Sequence, residues 1–457
     1  MALFDASDGH AAGLYFSDRG VRPMGRAGAF VAGADDLGAV WYNPAGLVDA
    51  GTSALVDFGW LRFGIRYVRQ LRIEDHGVVT YPSSARVEGR SPVLPMPTVA
   101  GSYALDEEKN VVAAVGLIAP YVALASYPLE VEGEPSPARY TLGSFSGSLL
   151  VIPGAWLAFR PHPMLRIGGG FSALTGYFQS TVTFSASLQD RVLGAPEQPE
   201  YDAASQMRVG PIFAPTGQLG GILEPSKHIR LGASFQLPTW IDADATIQVR
   251  LPSAVVFDGA RVTGQQARVR FALPAILRLA AEVRPLDSLR MEIAYVREYW
   301  SIHDTIDIYP QDIAVEGILG GPDRVSFPTI TIPRHFQDAH SVRFGSEYAF
   351  PVHDMRVGLR AGYARETSAV PAEYLSLSSL DFQKHIVTAG ASLYLDEHWR
   401  LDAVYGRLVA ESTDVAPDAG RIPRINPFSG NAAFEPVNGG SYEAGADLIG
   451  LGAEYRK

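Results

Sequence analysis

From about residue 52 onward the chain alternates apolar and polar positions with a period of two, the signature of strands with one apolar and one polar face. Leu289, Met291, Ile293 and Tyr295 alternate with Arg290, Glu292 and Ala294. Just upstream, Ala275, Leu277, Leu279, Ala281 and Val283 alternate with Arg278, Ala280, Glu282 and Arg284, and a short polar turn at 284–288 joins the two runs as a hairpin. The same pattern predicts strands through Leu61, Phe63, Ile65 and Tyr67, set against Arg62, Gly64 and Arg66, and through Val342, Phe344 and Tyr348, set against Arg343, Gly345 and Glu347. It returns where Met355, Val357, Leu359, Ala361 and Tyr363 oppose Arg356, Gly358, Arg360 and Gly362, and where Ile449, Leu451, Ala453 and Tyr455 oppose Gly450, Gly452 and Glu454.

Many of these runs reach nine residues or more, the length that crosses a bilayer as tilted strands. Their polar faces are rich in Arg, Glu and Gly, and their apolar faces carry Tyr or Trp near the ends. That distribution predicts a lipid-facing apolar band with aromatic girdles around a polar lumen. Short links at 106–110, 160–163, 224–228 and 396–398 alternate with long ones around 123–146, 301–335, 365–384 and 407–441, as expected for turns on one rim and loops on the other. A closed barrel is the one β-structure that crosses lipid with its backbone paired throughout. A secreted β-protein is the alternative reading of the same alternation. Residues 1–50 do not alternate and are predicted to form a separate element, leaving 51–457 for the barrel.

Composition narrows the classes. The best apolar stretch, 149–159, is broken by Pro153 and Gly154, so no helical membrane span is expected. The 38 Lys+Arg against 49 Asp+Glu give a net charge of −11 with no basic block, which argues against nucleic acid. There are no cysteines, which excludes disulfides, thiolate metal sites and Cys nucleophiles together. Met1 to Asp5 has neither the basic nor the apolar region of a signal peptide, so the expectation is either a cytoplasmic chain or a numbering that begins at a processed or recloned mature end.

The segment 24–47 is the most specific. Its Gly25-Arg26-Ala27 start, the Asp35-Asp36 pair and the Asn43-Pro44-Ala45 motif leading into the first strand resemble the N-terminal hatch of FadL-type outer-membrane transporters of long-chain fatty acids and other hydrophobic compounds. The resemblance continues in Leu273-Pro274 before a strand, in the Phe336 to Gly345 strand entry and in Val370-Pro371-Ala372. It implies an all-β fold: an antiparallel transmembrane barrel of about 14 strands whose lumen is plugged by the hatch, in the cell outer membrane of a Gram-negative organism. The chain departs from the family pattern in the twenty or so residues before Met24, in the loop after the third strand, and in its end, Tyr455-Arg456-Lys457.

Catalytic patterns are poor. Gly143-Ser144-Phe145-Ser146-Gly147 has Phe145 where a nucleophile elbow needs Ser, and Gly168-Gly169-Gly170 lies inside a strand, where close backbone approach explains it. His335 and His340 flank Asp338 without metal-ligand spacing. No enzyme, cofactor or metal is expected. The polar-face series Arg278, Glu282, Arg290, Glu292, Arg343, Glu347, Arg356 and Arg360 reads either as a salt-bridged lumen wall that anchors the hatch or as a source of Arg for a substrate carboxylate.

The resemblance implies passive transport of a fatty acid or aromatic hydrocarbon through an extracellular groove, an internal apolar pocket, hatch rearrangement and a lateral gap at a kinked third strand. That strand is predicted over 111–121, with Gly116 and Pro120 as kink positions. Tyr121, Val122, Leu124, Tyr127, Leu142, Phe145 and Leu149 are the apolar groove and pocket candidates. The remaining expected partners are outer-membrane lipid and lipopolysaccharide, around a monomer. The competing functions are an outer-membrane lipid hydrolase and a general porin.

Overall fold

The computed structural model describes residues 9–90, 95–119, 122–141, 143–144, 148–187, 197–428 and 436–457. They form an all-β molecule built on one closed antiparallel barrel of fourteen strands. Strand β1 is Ser53–Arg69; β2 is Pro95–Ala104, preceded by Val87–Arg90 on the same edge; β3 is Val111–Ile118. Leu149–His162, Leu165–Ser185 and Asp202–Ser226 are β4, β5 and β6. The next four strands are each interrupted once: β7 is Ile229–Gln236 with Thr239–Arg250, and β8 is Gln266–Leu273 with Ile276–Leu286. Likewise β9 is Leu289–Glu298 with Thr305–Gln311, and β10 is Ile330–Pro333 with Ala339–Val352. Met355–Glu366, Lys384–Tyr394, Trp399–Ala410 and Gly440–Arg456 are β11 to β14.

The barrel closes by pairing β1 with β14, from Ser53 opposite Arg456 to Arg69 opposite Gly440. With that pairing neither the first nor the last strand presents an edge to lipid. Outward residues of β9, β10 and β11, among them Met291, Ile293, Phe344 and Leu359, are exposed, while Glu292, Arg343, Glu347 and Arg360 between them are buried. These strands face as their alternation predicts.

The upper part of β1 faces the other way. Leu61, Phe63, Ile65 and Tyr67 are buried inward, and Arg62, Gly64 and Arg66 point outward. The same inversion holds in β7, where Ile241, Ala243, Ala245 and Ile247 are buried and Asp242 and Asp244 are exposed. Both stretches lie toward the long-loop rim, past the outward aromatics Trp60 and Trp240. There the outer wall has left the apolar layer, and the apolar residues fill the inside instead.

Residues 16–51 form three short helices, Val21–Met24, Ala39–Tyr42 and Leu47–Ala50, with the 3-10 turn Pro44–Gly46 between the last two. Nearly all of this segment is buried. Ahead of it, Gly9–Tyr15 is itself a strand, which residues without alternation did not announce; it pairs antiparallel with Val122–Tyr127. Beyond the long-loop rim, Arg261–Thr263, Ala314–Glu316 and Arg324–Ser326 make a small three-stranded sheet. A continuous apolar cluster runs from Val40, Trp41 and Leu47, past Ile118, Ile152 and Trp156, to Phe184, Phe257 and Phe327 under the loops.

Candidate functional site: an apolar pocket beside the N-terminal segment

The N-terminal segment is held by charge along one side and by an asparagine on the other. Arg22 pairs with Asp35 at 2.5 Å, Asp36 at 3.0 Å and Glu347 at 3.0 Å. Arg26, fully buried, reaches Glu282 at 3.1 Å and Glu292 at 3.2 Å. Glu292 also accepts from the backbone N–H groups of Val31, Ala32 and Gly33 at 2.7, 3.2 and 2.8 Å. Arg290 bridges Asp35 and Glu282, Arg400 bridges Asp36 and Glu454, and Arg343 engages Asp18 and Glu366. Burial alone would raise the Asp35 carboxyl; Arg22 and Arg290 beside it hold it well below the usual carboxylate range. Buried charges of this kind persist because each has a partner and further hydrogen bonds.

Asn43 is the anchor opposite. Its Nδ2 donates to Val31 O at 2.9 Å and to Gly221 O on β6 at 3.1 Å, while its Oδ1 accepts from Ala45 N at 3.2 Å and caps the Pro44–Gly46 turn. The wall is bare where this motif lies. A Cβ on Gly168 of β5 would come within 2.5 Å of Ala45 N, and one on Gly220 of β6 within 2.0 Å of Asn43 Oδ1. Close backbone approach therefore accounts for Gly168, and Gly170 makes room for the Trp156 indole. Gly25 also lies close to the wall: a Cβ there would stand 3.3 Å from the Gly390 Cα of β12, a tighter contact than side chains usually make.

Between this segment and the wall is a small, mostly apolar pocket. It is lined by Val40 and Trp41 from the segment, Ile118 from the end of β3, Ile152 and Trp156 from β4, and Leu174 and Leu273. Its polar members are neutral: Ser172, Thr216, Gln218, Gln236 and Thr239. Gln218 donates to Trp41 O at 2.9 Å and Thr216 to Leu237 O at 2.7 Å. The guanidiniums of Arg19 and Arg278 lie over the Trp41 ring at 5.7 and 5.8 Å. The free volume is about 20 Å³, room for a single water. Above it, Phe184, Phe257, Phe327 and Phe428 pack edge-to-face in a cluster beneath the loops, with ring centroids 5.7 to 6.3 Å apart.

The wall changes beside the same pocket. β3 pairs without a break with both β2 and β4, Gly116 included, as far as Ile118. There the chain leaves β4: Val122–Tyr127 takes Gly9–Tyr15 as its partner, and Gly143–Ser144 pairs with β5. Leu149, Leu150 and Val151 at the start of β4 pair on the β5 side. Arg19 ties the N-terminal segment to this point, its Nε donating to Ala119 O at 3.0 Å.

The predicted site residues thus separate into groups. Gly25, Arg26, Asp35, Asp36, Asn43, Pro44 and Ala45 come together in the buried segment, and Glu282, Arg290, Arg343 and Arg360 in the charged network around it. Arg278 lies over Trp41 and Tyr42, and Arg356 lies at the short-turn rim against the Tyr394 ring. Of the groove candidates, Tyr127 is buried among Phe63, Ile65 and Tyr67, Leu149 is exposed on the wall, and the Val122 and Leu124 backbone lies in the strand paired with Gly9–Tyr15. Pro120, Tyr121, Leu142 and Phe145 lie outside the described residues. Sequence reasoning missed Trp41, Trp156 and the aromatic cluster. The signal was in β7, where isoleucines alternate with Asp242 and Asp244 and so have to face inward.

The family model for outer membrane transport proteins of the OMPP1/FadL/TodX type matches residues 2–456. No curated protein matches the chain in sequence. Among solved structures the barrel is similar to a Pseudomonas aeruginosa FadL homologue, with a TM-score of 0.70 at 13% identity over 97% of this chain and 100% of that one. It is also similar to the Ralstonia pickettii toluene transporter TbuX, TM-score 0.58 at 15% identity over 96% and 98%, and to the Pseudomonas putida toluene transporter TodX, TM-score 0.56 at 15% over 94% and 96%. With a closed fourteen-strand barrel and a family match over almost its whole length, the chain belongs to the OMPP1/FadL/TodX family of outer membrane transport proteins.

Proposed function

We propose that the protein carries small hydrophobic molecules passively across the outer membrane, with residues 1–50 acting as the hatch and 51–457 as the barrel. The observation that carries this reading is the apolar pocket at Trp41, which adjoins the point where β3 parts from β4. An aromatic solute burying about 150–250 Å² there gains roughly 4–6 kcal/mol at about 25 cal/mol per Å², enough to capture it and little enough to release it. The pocket holds only about 20 Å³ as it stands, so entry needs Trp41 and the segment carrying it to move. Exit runs through the wall beyond Ile118, where Gly9–Tyr15 has to part from Val122–Tyr127. The uncharged lining suits uncharged solutes such as monoaromatic hydrocarbons, in keeping with the toluene transporters of the same fold.

The test is uptake by cells whose outer membrane contains this protein as the added channel. Labelled toluene is expected to enter faster than in cells without it, and a labelled pentose at the unaided rate. Pentose entry raised as much as toluene entry would make the protein a general porin, and unchanged entry of both would remove the transport reading.

A further inference from the structure

The inverted stretch of β1 puts charge on the outer wall in a defined lattice. In register across three neighbouring strands, Trp60 of β1, Ile449 of β14 and Tyr405 of β13 form an outward row of the aromatic and apolar belt. One step nearer the long-loop rim, the next outward row is Arg62, Asp447 and Arg407. In the row after that, Gly64 of β1 stands opposite Gly445 of β14, with the exposed Val409 of β13 beside them. Beyond it come Arg66 and Glu443, with Glu88 opposite Arg66 on the other side. A Cβ on Gly64 would meet nothing within 4 Å, so the glycines leave a recess between two charged rims; its volume is 1110 Å³.

The pairing within the rims is incomplete. Asp447 accepts from Arg407 at 2.9 Å and from the Tyr405 hydroxyl at 3.0 Å, and among the described residues Arg62 beside it forms no ion pair. Arg66 meets Glu443 at 3.5 Å and Glu88 at 3.9 Å, with all three side chains about half exposed or more. Such exposed, stretched pairs contribute little to folding and leave the guanidiniums able to take another anion.

We infer that this recess binds the phosphorylated head of an outer-leaflet glycolipid, a disaccharide with a phosphate at each end. The position sets the leaflet, because the recess lies on the long-loop side of the aromatic belt, which is extracellular in barrels of this class. The spacing sets the head. Arg62 and Arg66 are four residues apart along one strand, about 13 Å, so two anionic ends with a flat sugar body between them span the glycine floor. A single phosphodiester reaches one rim only. Guanidiniums suit phosphate oxygens, and Asp447, Glu443 and Glu88 accept from sugar hydroxyls and amides. Acyl chains then hang along Trp60, Ile449 and Tyr405. The inference rests on the outer-membrane location and is independent of what the pocket transports.

The test is native mass spectrometry of the full-length protein in detergent, titrated with purified lipid A. Arg62→Gln with Arg66→Gln and Arg407→Gln is expected to weaken binding at least tenfold, and Gly64→Val, which fills the floor, to do the same. Arg365→Gln is the control: that arginine also points outward past an aromatic, Tyr363, but lies on β11 away from the recess. It is expected to bind as the parent does. Removing one phosphate from the lipid should cost the parent protein about as much as losing one rim, and inorganic phosphate should not compete. Heat-modifiable migration confirms that each variant is folded, and the two routes to the same loss, through charge and through floor, keep the inference testable if one fails to fold. Equal binding by the triple variant, equal loss in Arg365→Gln, equal affinity for a glycerophospholipid, or displacement by phosphate would each overturn it.

Discussion

Asn43, Gly168 and Gly220 act together: the asparagine can satisfy Val31 and Gly221 only because two strands carry no side chain at the facing positions. Gly168→Val pushes a branched side chain to within 2.5 Å of the Pro44-Ala45 backbone, an overpacking that costs about 1–3 kcal/mol where neighbours can shift and more where they cannot. The wall has its ladder to keep it in place, so the N-terminal segment is the part that gives way. Limited proteolysis is expected to cut within residues 16–51 of this variant while the barrel stays resistant. Protection equal to that of the parent protein would mean that the segment is not seated by this contact. The aromatic Trp41 shows the same economy from the other side: it lines the pocket with its ring, and its carbonyl takes the Gln218 amide.

Among the elements, β3 and its surroundings carry the most specific expectation. Gly9–Tyr15 and Val122–Tyr127 are paired from Gly9 opposite Tyr127 to Tyr15 opposite Val122. If solute leaves there, locking the pair blocks it. Ala11 and Ala125 face each other in register, and cross-strand Cα separations of about 4.5–5.5 Å suit a disulfide. The chain has no cysteine, so Ala11→Cys with Ala125→Cys gives one defined bridge. Toluene uptake is expected to fall several-fold on oxidation and to recover on reduction. Undiminished uptake by the oxidised form would move the exit elsewhere. The strands were legible in the sequence because alternation survives in nearly all of them, but the direction they face was legible only where the chemistry of both faces was weighed. In β9 to β11 the outward face is apolar because lipid covers it. In the upper halves of β1 and β7 the polar set is Arg62 and Arg66, or Asp242 and Asp244, and no wall can turn those to hydrocarbon. Alternation is symmetrical; the height along the barrel is what breaks the symmetry.

For the whole molecule, the residues that seat the N-terminal segment were legible because Asn-Pro-Ala and Asp-Asp are local, whereas the pocket was not. Its lining comes from residues 40–41, 118, 152–174, 216–239 and 273, which only closure of the barrel assembles. The charged network has the same long-range character: Arg22 reaches Glu347, and Arg400 reaches Asp36. Many such pairs act on one segment, so it is expected to hold its position until it moves as a unit. The central claim is that this segment closes the barrel and leaves the apolar pocket as the route. Planar-bilayer conductance of the intact protein, set against a form lacking residues 1–46, tests it most directly. The intact protein is expected to be nearly silent and the shortened one to open an ion-conducting pore; an intact protein that conducts as well as the shortened one would contradict the account.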